Sequence, residues 1–84
     1  MKTVTIYSTP SCHFCHMTKD YLTSHNVAFT DIDVASNTEA RKDMVELTGQ
    51  MGVPVIKIDA EGEDSFVIVG FNQKLLNEAL AIQE

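Results

Sequence analysis

Both cysteines of this chain, Cys12 and Cys15, lie in one short stretch, TPSCHFCHMTK (Thr9–Lys19). Their C-x-x-C spacing is that of a thiol redox centre, in which two sulfurs cycle between dithiol and disulfide. With His16 added, the same letters spell C-x-x-C-H, the attachment pattern of a c-type haem. A third reading is zinc held by Cys12, Cys15 and two of His13, His16 and His25. Haem would need a second axial ligand and a roomy apolar pocket. Met44 or Met51 could serve as the ligand, but each has a simpler place in or near a helical core. The histidines lack the usual zinc spacing and read most simply as surface residues of a short helix. A structural staple across two residues would restrain little of the unfolded chain. The pair reads as redox.

A thiol reacts as its thiolate, and an ordinary cysteine ionises near pH ~8.5. Bringing such a group to ~6 corresponds to about 3.4 kcal/mol at ~1.36 per unit. A helix dipole offers about 0.3–2 kcal/mol. The remainder must come from hydrogen bonds donated by free N–H groups of a first helical turn and by the second thiol. Cys12 is therefore expected at a helix start as the nucleophile. Cys15, one turn further in on the apolar face, is expected to be the resolving thiol. His13 lies between them; when protonated it would favour the Cys12 thiolate and make the disulfide more oxidising.

The flanking sequence supplies such a frame. KTVTIYS alternates and is β-branched, which predicts a strand over Lys2–Ser8. CHFCHMTKDYLTSH then carries helical spacing, with Cys15, Thr18 and Leu22 on one face beside Phe14 and Tyr21, and Asn26 as the stop. VAFTDIDV (Val27–Val34) predicts a second strand. Ser36 and Glu39 form a capping-box pattern before a helix whose inner residues are Ala40, Met44 and Leu47, ending at Gly49. VPVIKID opens a third strand with Pro54, and an acidic turn around Gly62 leads into SFVIV as a hairpin partner. Asn72 caps a last helix with Leu76, Ala79 and Leu80 facing inward. The order is βαβαββα, an α/β arrangement beginning with a parallel pair and closing on an antiparallel one. Cys12 falls where the first strand ends and the first helix begins, an edge at which parallel sheets bind ligands.

Composition bounds the function. At 84 residues, 44% hydrophobic and with four glycines, the chain suits one small globular domain, 1–84, with a modest core. A net charge of −6 argues against nucleic acid and anionic membranes as partners. No carboxylate occurs from Met1 to Lys19, while Asp59, Glu61, Glu63 and Asp64 gather later. That keeps the cysteine site free of charge that would oppose a thiolate. No stretch reads as a signal peptide or a membrane span, so a cytoplasmic protein is expected.

Taken together, the strand VTIYSTPSC, the CHFC motif, the GQMGVPVI segment and the VIVGFN segment resemble the glutaredoxins and glutaredoxin-like redoxins of the thioredoxin superfamily, over essentially the whole chain. The resemblance implies a four-stranded mixed sheet flanked by three helices and a cis peptide bond before Pro54. It implies thiol–disulfide oxidoreductase activity without a bound cofactor or metal. It also implies a docking surface of Phe14, Val53, Pro54, Gly70, Phe71 and Asn72, on which the Val53 backbone pairs with an extended substrate.

Departures from the family pattern bear on the reductant. His13 and Phe14 replace the common proline and tyrosine, and Thr9 and Pro10 stand where many members carry a lysine. Gly70, Phe71 and Asn72 replace paired glycines and an aspartate, and asparagine cannot ion-pair with an ammonium. Glutathione binding is thereby weakened. MTK (Met17–Lys19) and the Gly70–Phe71 pair instead resemble the redoxins that serve ribonucleotide reductase and are recycled by thioredoxin reductase. The expected partners are protein disulfides, with glutathione or thioredoxin reductase restoring the dithiol of a monomer. The alternative is a module that holds a metal or an iron–sulfur cluster through the same cysteines.

Overall fold

The computed structural model describes residues 2–60 and 65–80. Its elements are β1 (Lys2–Ser8), α1 (His13–Ser24), β2 (Thr30–Asp33), α2 (Thr38–Thr48), β3 (Val55–Ala60), β4 (Phe66–Val69) and α3 (Gln73–Leu80). The predicted order βαβαββα is the observed one. The four strands form one mixed sheet in the order β2-β1-β3-β4. β1 runs parallel to β2, with Thr5 opposite Thr30 and Ser8 opposite Asp33. It runs antiparallel to β3, with Ile6 opposite Ile56, and β4 completes the hairpin with Ile68 opposite Ile56. The acidic turn expected around Gly62 lies outside the described residues.

Strand alternation divides the core in two. Val4, Ile6, Ile56, Ile58 and Ile68 project to one face, where Leu22 of α1 and Leu76 of α3 cover them. Tyr7 and Val55 project to the other, against Ala40 and Met44 of α2. Ile6, Leu22, Met44, Ile56, Ile68 and Leu76 are all essentially inaccessible. Two helices thus hold one face of the sheet and a single helix the other. The expected inner residues Ala79 and Leu80 are only partly buried, packing at the margin of the first cluster.

Several expectations give way to the structure. The second strand is shorter than Val27–Val34: only Thr30–Asp33 pairs with β1, opposite Thr5–Ser8, while the Val27 N–H is bonded back to the Leu22 carbonyl at 2.9 Å where α1 ends. The capping box at Ser36 and Glu39 does not form. Asn37 is the N-cap of α2, its side-chain oxygen accepting from the Ala40 N–H at 3.0 Å, while Ser36 Oγ donates back to the Asp33 carbonyl. Leu47, expected on the inner face, is 41% exposed; the cluster that Ala40 and Met44 form with Tyr7, Val34 and Val55 does not include it. Met51, expected in or near a helical core, is largely exposed. Pro54 precedes β3 rather than opening it. Gly49 does end α2, in the left-handed conformation (φ 73°) that a side chain would oppose.

The cap assignment is testable. Asn37→Ala should destabilise the protein by about 1 kcal/mol, whereas Ser36→Ala should stay within about 0.5 kcal/mol. Urea unfolding of the two variants decides between them, and the reverse ranking would restore the capping box.

Candidate functional site

Cys12 is the N-cap of α1. Its backbone is extended (φ −84°, ψ 112°), and its Sγ accepts the Cys15 N–H at 3.1 Å. A sulfur therefore occupies the place usually filled by a serine or aspartate oxygen. An N–H donor of this kind is accepted more strongly by a thiolate than by a thiol. The turn that delivers Cys12 is closed by its own N–H bonding to the Thr9 carbonyl at 3.2 Å. His16 spans back over the same turn, with Nε2 2.9 Å from the Pro10 carbonyl.

The two thiols are both free and unequal: Cys12 is partly exposed and Cys15 is buried. Cys15, Thr18 and Leu22 form the inward stripe of α1, as their spacing predicts. Thr18 satisfies its buried hydroxyl by donating to the Phe14 carbonyl at 2.8 Å. Burial pushes the Cys15 thiol up to about 12, reinforced by its hydrogen bond with Cys12. The Thr9 backbone and the Lys19 ammonium act in the opposite direction without overcoming burial.

Two further segments close in on Cys12. The Val53–Pro54 peptide is cis, and the Val53 carbonyl lies 3.8 Å from Cys12 Sγ, where the protonated thiol can donate to it. Pro54 is buried, and its carbonyl accepts the Gly70 N–H at 2.8 Å. Gly70 has φ 85°, which disfavours any residue with a side chain. Asn72 then caps α3 by accepting the Leu75 N–H at 3.1 Å.

Of the residues expected to form a docking surface, Val53, Pro54 and Gly70 are linked to Cys12 through these bonds. Phe14 is 56% exposed and meets His13 edge-on, with ring centroids 5.7 Å apart. It stands off the buried face of α1 rather than joining it. Phe71 turns toward α1, edge-on to Tyr21 at 5.9 Å, and packs against the core. Asn72 is exposed but its side-chain oxygen is engaged in the cap. Among the described residues, no three His, Cys, Asp or Glu side chains come together in a way that could hold a metal ion, so a metal at this point would meet two thiols and need further ligands. No helix there is long and apolar enough to cross a membrane.

Residue patterning alone missed a polar chain beside this site. Asp31 accepts from Ser8 Oγ at 2.6 Å and from Lys19 Nζ at 3.0 Å. Burial alone would raise the Asp31 carboxyl, but the Ser8 and Lys19 hydrogen bonds and the nearby Lys19 and His16 charges outweigh it, and the net direction is down. The one signal available was the i, i+4 spacing of Cys15 and Lys19; the Ser8–Asp31 contact depends on strand register.

The glutaredoxin family model matches residues 4–62, and the chain belongs to that family. It is 43% identical over 77 residues to a glutaredoxin-like 8.6 kDa protein of the Clostridium pasteurianum rubredoxin operon, covering 92% of this chain and 96% of that protein. Its fold superposes on a mutant of the thioredoxin-like protein BC3987 with a TM-score of 0.79 and 29% identity, over 99% of this chain and 100% of the other. It also matches the glutaredoxin-like NrdH-redoxin of Escherichia coli, with a TM-score of 0.69 and 28% identity over 90% and 92%. The sheet order and helix placement are those of the thioredoxin-like fold.

The Cys15 environment makes a signed prediction. Because its thiol is raised above the ordinary 9.0, the protonated form favours the folded state. That stability is present below the unfolded value and is lost as pH rises toward about 12. Between about pH 9 and 11, the reduced protein should lose stability more steeply than Cys15→Ala. Denaturant midpoints at intervals across that range measure it, and parallel curves would contradict the assignment.

Proposed function

We propose that the protein is a thiol–disulfide oxidoreductase that works by a dithiol cycle. Cys12 attacks a substrate disulfide, forming a mixed disulfide and releasing one substrate thiolate. Cys15 then attacks Cys12 Sγ, forming the Cys12–Cys15 disulfide and releasing the second thiolate. Two electrons pass to the substrate, and no bound cofactor takes part. The observation that carries the reading is the pairing of a partly exposed N-cap sulfur with a buried thiol one turn on, joined by the Cys15 N–H at 3.1 Å. Family membership supports the same reaction class.

Phe14, Val53, Pro54, Gly70, Phe71 and Asn72 shape the docking surface in this reading, and His13 tunes the potential. An extended substrate segment pairs with the Val53 backbone, whose carbonyl already faces Cys12. The substrates are protein disulfides and the setting is cytoplasmic, where a C-x-x-C pair stays reduced and available.

A reductase with its own dithiol is the better source of electrons than glutathione. Thr9 and Pro10 put no cation before Cys12, and uncharged Asn72 spends its oxygen on the α3 cap. The NrdH-redoxin of Escherichia coli, described as having a thioredoxin-like activity profile, points the same way.

The test is a recycling assay with NADPH and a protein disulfide, comparing thioredoxin reductase with glutathione plus glutathione reductase. The first system should sustain turnover. Cys12→Ser should lower it by about a hundred-fold or more, and a native rate in that variant would end the proposal. Faster turnover with glutathione would reassign the reductant alone. His13→Val should lower the reduction potential by on the order of 10–30 mV, read by equilibration against a redox buffer; an equal or higher potential removes His13 from the tuning role.

A further inference from the structure

The proposed cycle leaves one difficulty: the second step requires a thiolate at Cys15, the thiol that burial holds protonated. Part of that resistance belongs to the fully reduced protein only. The hydrogen bond with Cys12 and the Cys12 charge both oppose ionisation of Cys15, and both vanish once Cys12 is bonded to substrate sulfur. Burial remains, and it must be met by something that persists throughout the cycle.

Lys19 persists. It lies four residues after Cys15, hence one turn further along the same side of α1. Its Nζ is held 3.0 Å from Asp31 Oδ2, and the other carboxylate oxygen accepts from buried Ser8 at 2.6 Å. Strand alternation puts Ser8 and Asp31 on the sheet face that α1 covers, at its edge. The other titratable groups here are Cys12 and His16, at the cap and first turn of α1. On this face β1 otherwise presents Ile6 and β3 presents Ile56, which carry no charge. Lys19 is only 21% exposed at its side chain, so its charge is less screened than that of a free surface lysine.

We propose that Lys19, pinned by Asp31 and Ser8, is a positioning residue for the second half of the cycle: its ammonium group favours the Cys15 thiolate once Cys12 is tied up in a mixed disulfide. This rests on the dithiol reading above. The step balances within the mixed disulfide. The Cys15 thiolate forms the new S–S bond to Cys12, the Cys12–substrate bond breaks, and its electron pair leaves on the substrate thiolate. The proton given up by Cys15 reaches that thiolate through solvent. Asp31 fixes where the cation sits, and Ser8 fixes Asp31.

One experiment separates the two halves. Reduced full-length protein mixed with a single equivalent of Ellman's disulfide releases one coloured thiolate when Cys12 attacks and a second when Cys15 resolves. The rate of each phase is followed against pH by stopped flow in the native protein, Lys19→Gln and Lys19→Arg. Lys19→Gln should slow the second phase about three- to ten-fold near neutrality at low salt and move its pH midpoint up by about half a unit to one unit. The first phase should change by less than about two-fold, and Lys19→Arg, which keeps the charge, should restore the second. A second phase in Lys19→Gln with the native rate and midpoint overturns the proposal, as does equal slowing of both phases. Absence of a first phase in the native protein defeats the dithiol reading itself; a normal first phase with an insensitive second defeats only the role of Lys19.

Discussion

The hydrogen bond from the Cys15 amide to the Cys12 sulfur is the contact on which the rest of the site depends. An N-cap side chain accepts from the N–H two or three residues into the helix, so a cap and the residue three further on are joined whatever their identity. C-x-x-C uses that relation with sulfur at both ends. The spacing holds the donor amide against the first sulfur and, by the turn of the helix, rotates the second sulfur inward toward Thr18 and Leu22. Exposure of one thiol and burial of the other follow from a single helical turn, and with them the difference in their reactivity.

That turn has to be presented by something rigid. β1 leads straight into it from the centre of the sheet, flanked by β2 on one side and β3 on the other. The lead-in to β3 brings the Val53 carbonyl to Cys12, and the turn after β4 ties back to Pro54 through the Gly70 amide. Three loops thus converge at one end of the sheet, each anchored by a strand with a buried isoleucine or valine behind it: Ile6, Val55 and Ile68. Little of the site's geometry is left to side-chain choice.

This explains which features could be read from the residues. Element order, the helix carrying Cys15, the Asn72 cap and the Gly49 stop follow from local periodicity and backbone preference, and these the residues disclosed. The run Ser36–Asn37–Thr38–Glu39 holds three adjacent residues each able to cap, and local preference cannot rank them. Where the chain leaves β2 decides it, by directing Ser36 Oγ to the Asp33 carbonyl and Asn37 to Ala40. Leu47 and Met51 illustrate the same limit, since apolar character states a tendency while the cluster around Tyr7, Val34 and Val55 takes in Ala40 and Met44 and leaves both outside. The family resemblance supplied the cis peptide at Pro54, which no local rule would have chosen. Ser8, Asp31 and Lys19 come from three elements, and their meeting depends on strand register and helix placement together.

Charge gives the site its remaining character. A chain of net charge −6 has a carboxylate-free segment from its start through Lys19, which protects a thiolate from like charge as long as the fold brings no acid back. The fold does bring one, since Asp31 arrives beside α1 from β2. There it accepts from Ser8 and pairs with Lys19, so its charge is compensated within the contact. The buried Ser8 hydroxyl adds to that compensation: Asp31 is exposed, and the hydrogen bond from Ser8 holds one of its carboxylate oxygens at the sheet edge while Lys19 meets the other. The polar chain under α1 therefore follows from the same requirement as the missing carboxylates. Both keep the electrostatic field around the two sulfurs from opposing the ionisations that the proposed dithiol cycle asks of them.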